Sequence, residues 1–377
     1  MAKLGDFFTI ASGGTPDKGN PFYYENGTIP WVKTGDLKNQ YVPTGIDCIT
    51  EEGLNNSSAK LFPPNTVLVA MYGATIGACS ILSYEAATNQ ACAAFLPNEN
   101  VLPTYLYYFL SSKREQFVKD GVGGAQPNIS AGYLKNVQFG LIPMQQQIDI
   151  VEKLDKVEKL IALRKEQLAK LDQLVKSRFV ELFGDTPDEE KKTMADICKI
   201  ITDGTHQPPK FTSTGIPFLF VSNIVTNEIH YDAEKFISEE TYAELIKRTP
   251  IAIGDILLST VGSYGHPAVV KSDKPFCFQR HIAYLKPNAD MVNSEYLRGA
   301  ILSADVQRQI DERVKGIAQK TLNLSEIRKL QLPLPSMEQQ EQFAAFVEQT
   351  DKSKLAIQYS LNKLELLKKS LMQKYFG

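Results

Sequence analysis

The chain has 377 residues, 43% of them hydrophobic and 22% charged, which is more than one ordinary core fills and describes folded domains, not a disordered polymer. A formal charge of −2 gives no global basic field to attract nucleic acid. No apolar run is long enough for a bilayer span, and the first residues lack the basic start, apolar stretch and cleavage site of a secretory signal. Cys48, Cys79, Cys92, Cys198 and Cys277 are odd in number and form no CxxC, so they read as reduced, mostly buried thiols of a cytoplasmic protein.

Residues 1–143 are rich in Gly, Pro and aromatics, with short β-branched runs. The run from Val67 to Tyr72 predicts a strand closing at a glycine turn, and Tyr105 to Phe117 predicts a helix. From 144 to 184 one long helix is expected. Leu154, Ile161, Leu168, Val175 and Leu182 recur every seven residues, with Val157, Leu160, Leu171 and Leu174 widening the stripe. Residues 185–335 return to the mixed pattern, with a strand predicted over Asp255 to Thr260 and a helix over Ser294 to Ile310. A second long helix is expected over 336–377, where Ile357, Leu364 and Leu371 keep the seven-residue step beside Phe343, Val347 and Leu361. Each helix is about 60 Å long at ~1.5 Å per residue. An apolar stripe of that length needs a partner, and the nearest is the other helix, packed antiparallel as a coiled coil.

The order of elements is itself a repeat. A shift of 193 lays Met144, Gln146, Gln147, Leu168, Leu171, Leu174, Phe183 and Gly184 on Met337, Gln339, Gln340, Leu361, Leu364, Leu367, Phe376 and Gly377. The register continues upstream with Ala125-Gln126 over Ala318-Gln319. With small slips it reaches Asp6 over Asp196, Ile29-Pro30-Trp31 over Ile216-Pro217-Phe218, Thr75-Ile76-Gly77 over Ser263-Tyr264-Gly265, and Pro97-Asn98 over Pro287-Asn288. The helices match well and the front parts poorly. That contrast describes two divergent front parts carried on one shared helical scaffold.

Taken in order, these segments resemble the specificity subunit of Type I restriction–modification systems. The resemblance covers essentially the whole chain. It rests on the Gly13 to Pro16 entry (weaker at Gly204 to Pro208), the Ile-Pro-Trp-Val and Ile-Pro-Phe-Leu segments, and the Thr-Ile-Gly turn. It also rests on Asn89-Gln90 and Gln279-Arg280-His281, and on the Pro-Met-Gln-Gln-Gln and Pro-Ser-Met-Glu-Gln-Gln helix starts. It implies an α+β fold: two mixed α/β target recognition domains in tandem, 1–143 and 185–335, each followed by a long helix, 144–184 and 336–377. It implies double-stranded DNA with a bipartite site as ligand, one half read by each domain. The helices would set the spacer and dock methyltransferase subunits, two of them expected, with restriction subunits as further partners. No cofactor is expected on this chain; S-adenosylmethionine is expected on the methyltransferase.

Catalytic patterns are missing from the residues themselves. Gly73 to Gly77 continues into Ala78-Cys79, not the Gly-Lys of a phosphate loop, and Gly121 to Gly124 is too short for a nucleotide fingerprint. His206, His230, His266 and His281 have no ligand-like spacing. One alternative is a metal-dependent nuclease using Asp17, Asp36 and Lys38, a loose PD…(D/E)xK spacing in which acids hold Mg²⁺. The second copy has no equivalent, since Ser222-Asn223-Ile224-Val225 stands in place of Thr-Gly-Asp-Leu. Another alternative is a coiled-coil scaffold that touches no DNA.

Each recognition domain carries a net −2 and each long helix +1. DNA reading then needs local faces, with part of the phosphate grip left to a partner. Base edges are read by polar side chains on loops and strand ends. The candidates in the first domain are Lys33, Thr34, Asp36, Lys38, Thr75, Asn89 and Gln90. In the second they are Thr205, His206, Gln207, Lys210, Ser222, Asn223, Ser263, Gln279 and Arg280. Tyr72 and Tyr264, beside glycines, suit stacking on a base or core packing. For helix pairing or partner docking the candidates are Leu154, Ile161, Leu168, Leu171, Val175, Ile357, Leu361, Leu364 and Leu371.

Overall fold

The computed structural model describes residues 2–123, 127–184, 191–316 and 319–377. The Ala125-Gln126 and Ala318 part of the repeat therefore lies outside the described residues, as do Gly124 and the expected boundary at 185. Two compact units divide the chain, Met1–Leu163 with Ser360–Gly377, and Arg164–Tyr359.

In the first unit a four-stranded antiparallel sheet runs in the order Ile10–Ser12, Cys92–Phe95, Val67–Ala70, Cys79–Ile81. A second sheet runs Cys48–Ile49, Ile29–Val32, Ala86–Thr88, Leu61–Phe62, and its central pair is parallel, with Trp31 beside Ala87 and Val32 beside Thr88. Val67 and Val69 face the helices Pro103–Ser112 and Arg114–Asp120, whereas Leu68 and Ala70 face the second sheet. Both faces of that strand are covered, which is why it reads as an unbroken apolar run and not as alternation. The single helices expected at Tyr105 to Phe117 and Ser294 to Ile310 are each two. They break at Lys113 and at Ser303, whose hydroxyl caps the next helix by accepting from the Val306 N–H.

The second unit repeats this topology. Its larger sheet runs Cys198–Asp203, Ile282–Pro287, Ile256–Ser259, Pro267–Val269. Its smaller sheet runs Phe236–Ile237, Ile216–Leu219, Cys277–Phe278, and the last two strands are again parallel. Asp6 and Asp196 do the same work in the two copies, accepting from the Lys3 N–H at 2.7 Å and the Thr193 N–H at 2.9 Å. Burial pushes the thiols of Cys79, Cys92, Cys198 and Cys277 up to about 12, so they stay protonated and unreactive.

The repeated glutamine of the helix starts has a physical explanation. Gln147 is fully buried; its amide donates to the carbonyls of Asn100 (2.8 Å) and Ile142 (2.9 Å) and accepts from the Leu102 N–H (2.9 Å). Gln340, equally buried, donates to Met291 (3.1 Å) and Pro335 (2.9 Å) and accepts from the Asn293 N–H (2.8 Å). Each clamps its long helix to the loop that precedes a shorter one. Gln147→Leu leaves three buried backbone groups without partners, at ~1–3 kcal/mol for each unsatisfied group. We expect a loss of roughly 3–5 kcal/mol in urea unfolding of the first domain. The exposed Gln145→Leu should stay within about 0.5 kcal/mol of the parent, and an equally small loss for Gln147→Leu would remove the clamp from the account.

The long helices are Met144–Phe183 and Met337–Phe376. In the first unit Lys368 pairs with Glu158; in the second, Lys354 pairs with Asp172 at 2.5 Å. Within each unit the paired segments run antiparallel. Leu154, Val157 and Ile161 are buried, as are Val347 and Leu361, while Leu168, Leu171, Val175, Ile357, Leu364 and Leu371 are half-buried. The strict seven-residue step fails at its far end. Leu182 is exposed, and Phe179 and Phe183 are buried in its place; Leu160 and Leu174 are exposed too. A straight helix drifts by ~20° per heptad against a seven-residue repeat, so over the steps from Leu154 to Leu182 the facing side moves on to Phe179 and Phe183.

The units also depart from boundaries drawn at the helix starts. Phe376, from the end of the second long helix, is buried in the first domain's core, 5.4 Å between ring centres from Tyr105 and 6.2 Å from Phe109. Phe179 and Phe183 enter the second core beside Tyr296 and Phe343. Each recognition domain is therefore completed by the far end of the helix that follows the other. The Phe-Gly shared by the two helix ends marks those plugs. No helix among the described residues is long and apolar enough to cross a membrane.

Candidate nucleic-acid interface

In each unit the parallel pair of strands ends at one edge, and most of the candidate loops gather there. The first connection after the pair runs from Ala86–Thr88 through Asn89-Gln90-Ala91 into Cys92–Phe95, joining the two sheets. The Asn89 N–H donates to Val32 (2.9 Å), and the Gly14 N–H to Thr88 (2.9 Å). Met71 donates to Ala91 (2.8 Å), which brings in the glycine turn. The second unit repeats the bonds: Gln279 to Leu219 (3.1 Å), Thr205 to Phe278 (3.2 Å), Thr260 to His281 (3.0 Å). The entry glycines are steric necessities here, because a Cβ on Gly13 would sit 2.0 Å from the Thr88 carbonyl and one on Gly204 2.3 Å from that of Phe278.

A further element joins this rim, formed by the segments around Val122 and Lys315. Val122 and Asn128 exchange two backbone bonds of 2.9 Å, Gly73 donates to Pro127 (3.0 Å), and Ile129 donates to Met71 (3.0 Å). In the second unit Lys315 and Thr321 exchange bonds of 3.0 and 2.8 Å, Gly262 donates to Lys320 (3.1 Å), and Leu322 to Thr260 (2.8 Å). Gly73 and Gly262 have φ of +65° and +72°, in the left-handed region that favours glycine. The signal was present in the 193-residue shift, which lays Gly123 on Gly316 and Val122 on Lys315.

The individual candidates divide. Lys38, Gln90, His206, Gln207, Lys210, Ser222, Ser263 and Arg280 are exposed. Thr34, Asn89, Thr75, Thr205 and Gln279 are half-buried, and Thr75 and Thr205 spend their hydroxyls on the carbonyls of Tyr72 and Gln207 at 3.0 Å each. Lys33 is paired with Asp47, a bond that raises its pKa above the ordinary lysine value and holds the ammonium in place. His206 reaches Asp203 at 2.9 Å, and Arg248, which was not among the candidates, binds the same carboxylate. Tyr72 is 44% exposed and so available to a ligand. Tyr264 instead leans on the second core and donates to Asp311 at 2.9 Å. Burial, and then the charge of Arg280, lowers the pKa of His281 and keeps its ring neutral at pH 7.

Two candidates are corrected. Asp36 accepts from the Lys33 N–H at 2.8 Å, and Asn223 accepts from the Phe220 N–H at 2.9 Å, each closing the same short turn after a parallel strand. They are structural equivalents, so the second copy matches Thr-Gly-Asp with Val221-Ser222-Asn223, one residue earlier than the sequence register placed it. A cap needs only an oxygen acceptor, which is why Asp and Asn exchange freely. Asn223 is also buried and donates to His230 (3.0 Å) and Asp232 (3.3 Å), which removes its amide from the base-reading set. Asp17 accepts from its own loop at the Gly19 N–H, 2.9 Å. Among the described residues no three His, Cys, Asp or Glu side chains gather as a metal-holding group.

The family model of the Type I restriction modification DNA specificity domain matches residues 1–173 and again 188–366. The chain belongs to that family. The Type I restriction enzyme MjaIX specificity subunit of Methanocaldococcus jannaschii is 25% identical over 375 residues, covering 92% of this chain and 85% of that one. A Type I restriction enzyme specificity subunit of Escherichia coli is 30% identical over 162 residues, 42% of this chain and 40% of the relative. Two solved structures share the fold. One, described under complex assembly and conformational transition of the Type I system, has a TM-score of 0.60 at 17% identity, covering 100% of this chain and 96% of its own. The other, a Type I specificity subunit from M. genitalium, has a TM-score of 0.56 at 15% identity, covering 100% and 95%. The two matched segments of the Type I specificity family coincide with the repeat, so this is a DNA-recognition subunit with two recognition domains.

Proposed function

We propose that each rim reads one half of a bipartite duplex site, and that the chain is non-catalytic and directs methyltransferase subunits docked on its helices. The observation that carries this reading is the rim itself. The same backbone bonds build it in both units, yet the side chains on it differ almost throughout. A rigid frame with interchangeable side chains is what direct readout of two different base sequences requires. With no charge surplus in either domain, the partner shares the phosphate contacts. S-adenosylmethionine is held by the methyltransferase, and a restriction subunit joins the assembly for cleavage.

The test is reconstitution. Purified alone, the chain should neither methylate nor cut duplex DNA with or without Mg²⁺. Adding the cognate methyltransferase and S-adenosylmethionine should produce methylation at one adenine in each half of a single bipartite motif, mapped by sequencing. Methylation or cutting by the isolated chain would overturn the non-catalytic role. Methylation without sequence preference would overturn the reading role.

A further inference from the structure

The two rims differ in charge in one specific respect. The backbone bonds above make Gln90, Val122 and Pro127 of the first domain the equivalents of Arg280, Lys315 and Lys320 of the second. Three uncharged positions thus face three cationic ones. Arg280, Lys315 and Lys320 are all exposed, and none has a salt bridge among the described residues. Lys320 lies over the Tyr264 ring at 6.0 Å, and Arg280 donates to the neutral His281 ring at 3.3 Å, so neither charge is neutralised. Of the nearby carboxylates, Asp311 accepts from Tyr264 at 2.9 Å, and Glu326 pairs with Lys329 at 3.0 Å while also feeling the charges of Lys315 and Arg313. The first domain shows the opposite at these positions. Val122 is 75% exposed and, with Tyr72, gives its rim an apolar edge.

We infer that the DNA backbone is gripped mainly by the second domain, with Arg280, Lys315 and Lys320 as phosphate contacts, while the first domain's equivalent edge makes no ionic contact. This rests on the proposal that both rims face DNA. Two physical points favour phosphate over base edges as the target. Lysine is a mobile point charge suited to a phosphate, and Lys315 and Lys320 stand on a segment whose backbone is pinned at four bonds to the glycine turn and its own partner strand. A cation held at a fixed place but free at its tip can follow a phosphate of any sequence. Such contacts position the duplex without specifying it.

The experiment measures salt dependence. The methyltransferase-assembled complex is titrated with a random-sequence duplex of about 30 base pairs over a range of KCl, each phosphate contact contributing ~0.9 to the slope of log K against log salt. Lys315→Ala with Lys320→Ala should reduce the slope by about 1.8, and adding Arg280→Ala by roughly another 0.9. Arginine at positions 315 and 320 should restore it. Val122→Lys, at an open surface position of the first domain, should raise the slope by about 0.9. The motif methylated by the complex should stay the same in the Lys315→Ala, Lys320→Ala double variant and in its arginine replacement. An unchanged slope in the double variant overturns the inference, as does an equal or larger fall for Lys38→Ala in the first domain. A parent complex that grips random duplex with the expected slope changes but methylates no bipartite motif would refute the proposed reading role and leave this inference standing. A parent complex with no grip on DNA would refute both.

Discussion

Exchanging the first recognition domain for that of another family member should change one half of the methylated motif completely and leave the other half untouched. The basis is the closed construction of each unit, in which every strand among the described residues pairs within its own domain. The structure also says how the exchange must be made. A graft of residues 1–143 alone would meet a foreign core at the place where Phe376 sits between Tyr105, Phe109 and the Lys113 ammonium, which donates to the Phe376 carbonyl at 2.6 Å. A misfitted buried phenylalanine costs ~3–5 kcal/mol, a large part of the total stability of a domain. Grafting residues 1–163 together with 360–377 carries the plug with its socket. The expected result is a soluble chimera with a recombined motif from the paired graft, and a poorly folded product from the short one. Equal yield and equal activity from both would mean that the helix end is not part of the domain. A change in both half-sites would mean that recognition is not partitioned by unit.

Much of this was legible from residue order. The 193-residue shift exposed the tandem, the long helices and the resemblance, because helix packing constrains the same apolar positions in both copies. The buried Gln147 and Gln340 show why their motif repeats: three backbone groups need one amide in one orientation. What could not be read lay where chemistry permits exchange. Asp36 and Asn223 fill one capping role with different residue types, so the register between them slipped. Tyr72 and Tyr264 look alike beside glycines, yet one is open and the other is tied to Asp311, a contact 47 residues away in the chain. The pairing of Lys315 with Thr321 has no apolar pattern to announce it, since both residues are polar and the bonds are entirely backbone. The crossing of each helix end into the other domain's core is a long-range fact that periodicity cannot contain.

Putting a carboxylate at Leu361 should break the helix pair, whereas the same change at Leu366 should leave it folded. Leu361 is 5% exposed and Leu366 69% exposed, five residues apart on one helix. The pairing of Lys368 with Glu158 fixes an antiparallel register that brings the Leu361 to Leu364 turn to the level of buried Ile161. The loss for an aspartate at 361 combines a removed buried leucine, ~2–5 kcal/mol, with the cost of desolvating a carboxylate in the apolar stripe. We expect the loss of most helical signal from that unit or outright aggregation, and no complex with the methyltransferase. At Leu366 the charge stays in water, so circular dichroism and melting should match the parent to within about 0.5 kcal/mol. Its partner binding is the informative measurement. With the inner stripe already occupied by helix pairing, Met144, Leu160, Leu163, Leu366 and Leu367 are the large apolar side chains left exposed on the helices of that unit, among the described residues, for a docked subunit. Leu366→Asp should then weaken methyltransferase binding on gel filtration while the fold persists. Full binding by that variant would place the docking surface elsewhere, and a folded, fully assembled Leu361→Asp would show that the stripe does not hold the helices together.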